Sequence, residues 1–237
     1  MTATITETTA PAADAPRTPK KTIAWRRRLM SWPALVGAAA LGIIGVGLSY
    51  RLSAEGAAPG LYYVVFWLGM LVAALPVTAA IVAPGTAQAR RMWAVALLGV
   101  VTFAPKYLRN PFAPAYHDEY AHWREATDVL SSGTLLRPNF LIPIIQSFPG
   151  TSALTAAVEQ LTGLSVWSSG QVLELTTHVL CLFAVAVLAQ THLRSASAGG
   201  IAAVVYGVNP SAVYFDTQYS YEGIAIALFL WVLALTS

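Results

Sequence analysis

Residues 29–50 read LMSWPALVGAAALGIIGVGLSY and contain no charged side chain between Arg28 and Arg51. These 22 residues are enough for a helix to cross a hydrocarbon core about 30 Å thick, which takes about 20 apolar residues. The whole chain shares this character, because 56% of its 237 residues are hydrophobic and 11% are charged. Soluble domains usually have about 25% charged residues. The composition therefore predicts a multi-pass membrane protein and argues against a soluble enzyme, a coiled coil or a disulfide scaffold.

The intervals between charged residues predict about six membrane-spanning helices. The third is short for a crossing unless the amine of Lys106 reaches the interface, and a re-entrant segment is the alternative. The last offers about 22 Å of helix at 1.5 Å per residue, so we expect the chain to be the N-terminal part of a longer protein. The predicted spans are 29–50, 56–88 with an apolar centre at 61–82, 92–105 extended to 108, 175–190, 198–215 and 223–237.

The predicted fold class is all-α, with four consecutive regions. Residues 1–28 form a disordered cytoplasmic tail, 29–108 hold three helices, 109–170 form a polar loop, and 171–237 hold three further helices, the last of them truncated. A cleaved signal peptide is the alternative for the first helix. No basic stripe interleaved with aromatic residues is present, which argues against nucleic acid as a partner.

The distribution of Lys and Arg predicts the orientation of the helices in the cytoplasmic membrane. Basic residues concentrate on segments that a cytoplasmic N-terminus would place inside, as the positive-inside rule requires. The polar loop then faces the exterior. The basic residues on the inner segments are Lys20, Lys21, Arg26, Arg27, Arg28, Arg90, Arg91 and Arg194.

Two adjacent carboxylates, Asp118 and Glu119, begin the polar loop. A helix is predicted over about 117–130, ending near Gly133, and its 100° per residue places Asp118, His122 and Glu125 on one face. Ionisable groups close to the membrane are costly and often functional. Both acids are therefore candidate catalytic residues, acting as general base on an acceptor hydroxyl or amine.

Basic side chains of the same region are candidates for holding a phosphate on a lipid carrier. They are Lys106, Arg124 and Arg137. A solvated interfacial helix, whose acids pair with Arg124, is the alternative interpretation. Prolines at 138, 143 and 149 then predict an extended stretch, followed by an amphipathic helix at 153–161 on the membrane surface. Thr151 or Ser152 is the expected cap of that helix.

A metal site is a second interpretation of His117, Asp118, Glu119 and His122. The two histidines are five residues apart, about 140° around a regular helix, so they cannot both contact one ion. The spacing typical of zinc proteases is four. Asp118 and His122 with Asp216 from another loop form the remaining candidate ligand set.

A second acidic segment, YFDTQYSYE at residues 214–222, joins the fifth and sixth predicted spans on the same outer face. Its tyrosines fit an interfacial aromatic belt and also fit the rim of a sugar-binding site. Two acidic segments on one face favour a shared site. The candidate substrate-binding residues are His117, His122, Arg124, Arg137, Asp216, Tyr219 and Glu222.

This layout resembles the GT-C superfamily of multi-pass membrane glycosyltransferases over about residues 90–237. His117-Asp118-Glu119 opens the first large outer loop, two amphipathic segments follow, and Asp216 with Glu222 lies in the next outer loop. The chain looks most like the protein O-mannosyltransferase and lipid A aminoarabinose transferase group, in particular its actinobacterial members. Many relatives have one span before this loop, whereas two further spans precede it here.

The resemblance implies an inverting transfer of a sugar from a polyprenyl-phosphate-linked donor to a glycan, lipid or protein acceptor at the outer membrane face. It implies that Asp118 is the base and that Glu119 positions or binds the acceptor. It also implies that Asp216 supports the site or binds a divalent metal, magnesium or manganese. A role of Arg124 near the lipid phosphate is a separate inference from its charge.

Two other functional classes remain open. A transporter or flippase subunit for a lipid-linked precursor would need charged or broken helices near the midplane of the bilayer. The predicted spans contain Pro76, His178 and the pair Asn209-Pro210, but no acid or base deep inside, which makes this class weaker. A non-catalytic membrane scaffold is the third class.

Overall fold

The computed structural model of the chain describes residues 31–138, 140 and 142–237. These residues form helices joined by irregular segments, with no strand among them, so the predicted all-α class is confirmed. The predicted tail at 1–28 lies outside the described residues. The helices are α1 Trp32–Ala54, α2 Pro59–Val82, α3 Gln88–Arg109, α4 His117–Ser132, α5 Gly150–Thr162, α6 Val166–Leu193, α7 Ala196–Gly207, α8 Pro210–Asp216 and α9 Tyr221–Thr236, with a 3-10 turn at Ile145–Ser147.

Three of these helices, α1, α2 and α6, are long and apolar enough to cross a membrane. The bent pair α7–α8 makes a fourth candidate if it is counted as one span. Helix α3 is continuous over 22 residues, about 33 Å at 1.5 Å per residue, but basic residues at both ends make it less apolar. Helix α9 is also apolar but is shorter, with 16 residues. The described chain thus has three or four candidate spans, where the sequence predicted about six.

The predicted span at 198–215 is not one continuous helix, because two helices bent by 77° occupy these residues. The break lies at Pro210, which has no N–H and whose ring clashes with the preceding turn of a continuous helix. The Asn209 side chain caps the second helix by accepting hydrogen bonds from the backbone N–H groups of Ser211 and Ala212. The amide and the proline therefore end one helix and start the next.

The loop that carries the candidate site contains the two expected helices. Helix α4 begins at His117 and ends at Ser132 with a left-handed Gly133, as predicted. Helix α5 begins at Gly150, earlier than expected, and Pro149 occupies its cap position. The predicted capping by Thr151 or Ser152 is wrong. Both lie in the first turn and donate to other elements, Thr151 to the Ser220 carbonyl and Ser152 to the Glu125 carboxylate.

A core of fully buried aliphatic side chains holds α1, α2 and α3 against α6. Leu35, Val77, Ile81, Leu98 and Leu182 have no exposed surface. This packing fixes the ends of α3 and α6, from which the polar groups of the site project.

Helices α1 and α2 pack backbone against backbone through glycines. A Cβ atom at Gly42 would lie 2.6 Å from the Ala73 Cβ, and one at Gly69 would lie 2.7 Å from the Gly42 carbonyl oxygen. Small residues allow such close approach of helices in membranes. The two helices therefore form one rigid wall of the molecule.

We expect Gly42→Val to destabilise the protein, because the new side chain must push the two helices apart. Overpacking of this kind costs about 1–3 kcal/mol. Thermal unfolding in detergent would measure the loss. Gly37→Val is the matched control on the same helix, since a Cβ there meets no atom within 4 Å. Equal melting temperatures for the two variants would contradict this packing.

Candidate functional site

A cavity of about 500 Å³ lies between α1, α2, α3, α7 and α8. Most of its wall is apolar and aromatic, and one end is polar. Cavities of this size and character are typical of small-molecule sites. The apolar wall includes Phe66, Trp67, Met70, Leu71, Ala74 and Val213, and the polar residues that line the cavity include Lys106, Arg109, Asn110, Thr217 and Gln218.

Lys106 is the central cation of the polar end. Its Nζ lies 2.8 Å from Glu119 Oε1, donates to the Thr217 carbonyl, and lies 5.9 Å from the centre of the Trp167 ring. The side chain is 13% exposed. The amine thus turns inward to the Glu119 carboxylate.

Glu119 is fully buried, and both of its carboxylate oxygens have partners. Oε2 accepts from the backbone N–H groups of Ala115 (3.0 Å) and Tyr116 (3.3 Å). Oε1 accepts from the Tyr219 N–H at 3.4 Å and pairs with Lys106. A carboxylate at the third position of a helix commonly caps its start in this way. This environment suits a positioning role for the predicted catalytic Glu119 better than proton transfer.

Asp118 has the opposite environment, although it is the neighbouring residue. Its side chain is 49% exposed in the first turn of α4. Oδ2 accepts from Gln218 Nε2 at 3.4 Å, and Oδ1 lies 3.7 Å from Nδ1 of the exposed His117. Because Gln218 lines the cavity, Asp118 is one hydrogen bond away from the polar end. It is an accessible base beside a cationic pocket.

The two arginines predicted to bind substrate lie away from the cavity. Arg124 Nε is 3.8 Å from Asp128 on α4, and Arg137 Nε donates to Thr134 Oγ1 at 3.1 Å. Arg109 lines the polar end instead. The sequence analysis did not single out this residue. Its position one turn after Lys106 on the same helix (i, i+3) was the available signal.

His122 and Glu125 lie on one face of α4, as predicted, and both side chains are buried, whereas Asp118 is half exposed. His122 Nε2 accepts from the Tyr221 N–H at 3.3 Å, which leaves the ring proton on Nδ1, 3.9 Å from Glu125 Oε2. Glu125 also accepts from Ser152 Oγ at 2.8 Å. Burial lowers the pKa of His122 to about 4 and raises the pKa of Glu125. These contacts join α4, α5 and α9, and His122 does not line the cavity.

We expect acid to destabilise the protein through His122. The unfolded histidine binds a proton with a pKa near 6.5, whereas the folded one resists protonation down to about 4. The contribution of His122 to the free energy of unfolding is therefore fully present above pH 6.5. It falls as the pH drops towards 4, and the loss is about 2–3 kcal/mol at pH 4.5. The melting temperature should differ less between pH 7.5 and pH 4.5 for His122→Leu than for the wild type. His192 is exposed, so His192→Leu should show the same difference in melting temperature as the wild type. A wild-type difference in His122→Leu would show that protonation of His122 does not cause the acid destabilisation.

Asp216 and Tyr219 hold the segment between α8 and α9 and do not line the cavity. The carboxylate of Asp216 is fully buried, with Oδ1 3.0 Å from His178 Nδ1, and His178 Nε2 contacts Thr102 Oγ1 at 2.8 Å. Tyr219 is also buried and donates to Thr155 Oγ1 at 2.8 Å. The partly buried Glu222 follows in the first turn of α9. Asp216 and Tyr219 of the second acidic segment therefore position the backbone next to the cavity without lining it.

The proposed metal ligands are not brought together. His122 Nε2 accepts from a backbone N–H and Asp216 pairs with His178, while Asp118 accepts from Gln218. In the part of the chain that the structure describes, no group of three His, Cys, Asp or Glu side chains is arranged to hold a metal. Binding of magnesium or manganese stays a prediction from the resemblance.

Glu174 on α6 is a buried acid that the sequence analysis missed. It has no exposed surface, and neither carboxylate oxygen has a hydrogen-bond partner among the described residues. Glu174 precedes the predicted span at 175–190, but it lies within the longer helix α6, which begins at Val166. The available signal was the polar series Gln171, Glu174 and His178, whose spacings of three and four place them on one helix face.

Comparison with protein families, with curated proteins and with solved structures finds no match to this chain. The structure defines a helical protein with three or four helices able to cross a membrane. The cavity and the charged groups around it are the features of this protein that bear on its function.

Proposed function

We propose that this chain is part of a membrane glycosyltransferase that uses a sugar donor linked to polyprenyl phosphate. The observation that carries the proposal is an apolar cavity whose polar end combines two cations, Lys106 and Arg109, with the neighbouring accessible carboxylate of Asp118. These are the three chemical requirements of such a donor: a wall for the isoprenoid, positive charge for the phosphate, and a base for the acceptor.

The cavity matches the donor at both ends. Aromatic and aliphatic side chains from α1 and α2 offer an apolar surface to isoprenoid units. Lys106 has three N–H bonds, of which Glu119 and the Thr217 carbonyl take two, so one remains for a phosphate oxygen. The Arg109 guanidinium adds bidentate recognition of phosphate. The phosphate then lies at the polar end, near Gln218 and Asp118.

Transfer at this position needs a single proton movement. The acceptor hydroxyl attacks the anomeric carbon, the bond from that carbon to the phosphate oxygen breaks, and polyprenyl phosphate leaves with the electron pair. Asp118 takes the hydroxyl proton as the new glycosidic bond forms. Attack opposite to the leaving phosphate inverts the anomeric centre. Lys106 and Arg109 stabilise the charge that develops on the phosphate.

We expect Arg109→Gln to weaken binding of polyprenyl phosphate about tenfold, equivalent to about 1.4 kcal/mol, because one charge-assisted contact is lost. The full chain in nanodiscs would be labelled with a photoreactive polyprenyl phosphate and titrated with unlabelled lipid. Arg124→Gln is the matched control, since Arg124 pairs with Asp128 outside the cavity. If both variants bind like the wild type, the phosphate does not lie at this end.

A transporter or flippase of a lipid-linked precursor is the second candidate. Two observations favour it: the buried acid Glu174 within α6, and the break between α7 and α8. Buried acids and broken helices are typical of transport pathways. Proteoliposomes loaded with a fluorescent polyprenyl-linked sugar distinguish the two functions. Movement of the label across the bilayer without a new glycosidic bond would favour the transporter, and a glycosylated product would favour the transferase.

A further inference from the structure

The carboxylate of Glu174 is buried without compensation from its own contacts. It has no exposed surface, and neither oxygen has a hydrogen-bond partner in the described part of the chain. Burying an unpaired charge is strongly unfavourable, so buried charges are paired with other groups or coordinate cations. This carboxyl group is therefore either protonated or accompanied by a cation, and the experiment below distinguishes the two states.

The charged neighbours of Glu174 already have partners of their own. Lys106, Glu119 and Asp216 are the charges that act on it. Lys106 is in contact with Glu119 at 2.8 Å, and Asp216 is in contact with His178 at 3.0 Å. Glu174 is the acid of this cluster that has no ion-pair contact among the described residues.

Three oxygen atoms converge beside Gly223 at the start of α9. A Cβ built on Gly223 would lie 3.0 Å from Glu174 Oε2 and 3.7 Å from each of the carbonyl oxygens of Asp216 and Gln218. One carboxylate oxygen and two backbone carbonyl oxygens thus lie around Gly223, where a larger side chain would crowd Glu174 Oε2. All three are acceptors, and a positive ion satisfies such a set directly.

The two carbonyl groups are free because the helix ends there. Helix α8 ends at Asp216 and α9 begins at Tyr221, so the intervening residues lack the hydrogen bonds of a continuous helix. No hydrogen bond to either carbonyl oxygen is present among the described residues. Unwound carbonyls at such helix ends are the groups that coordinate sodium in membrane proteins with broken helices.

We propose that Glu174 Oε2 and the carbonyl oxygens of Asp216 and Gln218 form a binding site for a sodium-sized monovalent cation beside Gly223. Oxygen-only ligands suit a hard cation rather than a thiophilic metal. A monovalent cation would compensate the charge of an ionised Glu174. The site joins α6 to the α8–α9 connection, so the bound cation fixes the backbone that supplies Thr217 and Gln218 to the cavity. It is independent of whether the cavity transfers a sugar.

Ion-dependent stability tests the site without any activity assay. The full chain in detergent is melted in sodium chloride and in choline chloride at equal ionic strength, and binding of radioactive sodium is measured at equilibrium. We expect a saturable rise in melting temperature with sodium and about one bound ion per chain. Glu174→Gln and Gly223→Ala should both lose the sodium dependence, the first by removing the charge and the second by filling the space.

Glu159→Gln on α5 is the matched control and should keep the full sodium response. Glu174→Gln also removes a buried charge, so it should fold and melt in choline chloride at least as high as the wild type. Equal melting of the wild type in sodium and choline at pH 6 and pH 9, with no bound sodium, would overturn the proposal and indicate a protonated Glu174. A sodium response that persists in both variants would place the ion elsewhere and would also overturn it.

Discussion

Asp118→Asn should lower sugar transfer from a polyprenyl-phosphate donor by about 10²- to 10⁴-fold, the range that a general base contributes. Asparagine keeps the shape of the side chain and can still accept the hydrogen bond from Gln218, but it cannot take a proton. The substitution should leave donor binding within about twofold, because the cations at 106 and 109 are unchanged. Release of radioactive sugar from the donor, measured with the full chain in nanodiscs, gives the rate.

The matched control for this variant is Asp128→Asn. Asp128 lies on the same helix ten residues further on, is partly exposed, and pairs with Arg124 away from the cavity. It should transfer sugar at the wild-type rate. Melting temperatures of both variants should equal that of the wild type, since Asp118 is half exposed. Transfer by Asp118→Asn within twofold of the wild type would remove Asp118 from the mechanism.

Lys106→Met should cause the largest loss of stability, about 3–5 kcal/mol, because it leaves the buried Glu119 carboxylate without its cation. Three backbone N–H groups still donate to Glu119, but none carries a charge. Unfolding by sodium dodecyl sulfate in mixed micelles would measure the loss. Loss of the pair should also release the Thr217 carbonyl, which Lys106 holds.

A double-mutant cycle separates the ion pair from simple loss of packing. Glu119→Gln combined with Lys106→Met should recover part of the stability, since replacing a whole buried pair is often close to neutral. Arg51→Met is the control: it removes an exposed pair with Glu55 and should leave stability unchanged. Additive losses in the double variant would show that Lys106 and Glu119 do not stabilise one another.

The sequence allowed the class of the fold and the two helices of the polar loop to be predicted, because both depend on local patterns. Uncharged runs such as residues 29–50 indicate apolar helices, and Gly133 ended the predicted helix where the structure ends it. The face carrying His122 and Glu125 followed from helical spacing alone. Pro210 also indicates a helix break from the sequence alone. The bend there is 77°, sharper than the kinks that membrane helices tolerate at proline.

The different environments of Asp118 and Glu119 could not be predicted from the sequence. Both are acids in the first turn of one helix, yet one is half exposed and the other fully buried. The difference arises from Lys106 and from the N–H of Tyr219, the latter 100 residues away along the chain. Spacing along one helix carries no information about such distant partners. The same reason explains why Arg109, rather than Arg124 or Arg137, lines the cavity.

The break at Pro210 also affects how the protein enters the membrane during synthesis. Helices α7 and α8 have 12 and 7 residues, about 18 Å and 11 Å at 1.5 Å per residue, so neither reaches across a core about 30 Å thick. Neither helix is therefore long enough to be inserted as an independent span. We expect this segment to enter the bilayer only after α6 is in place, so the cavity is completed late in biogenesis.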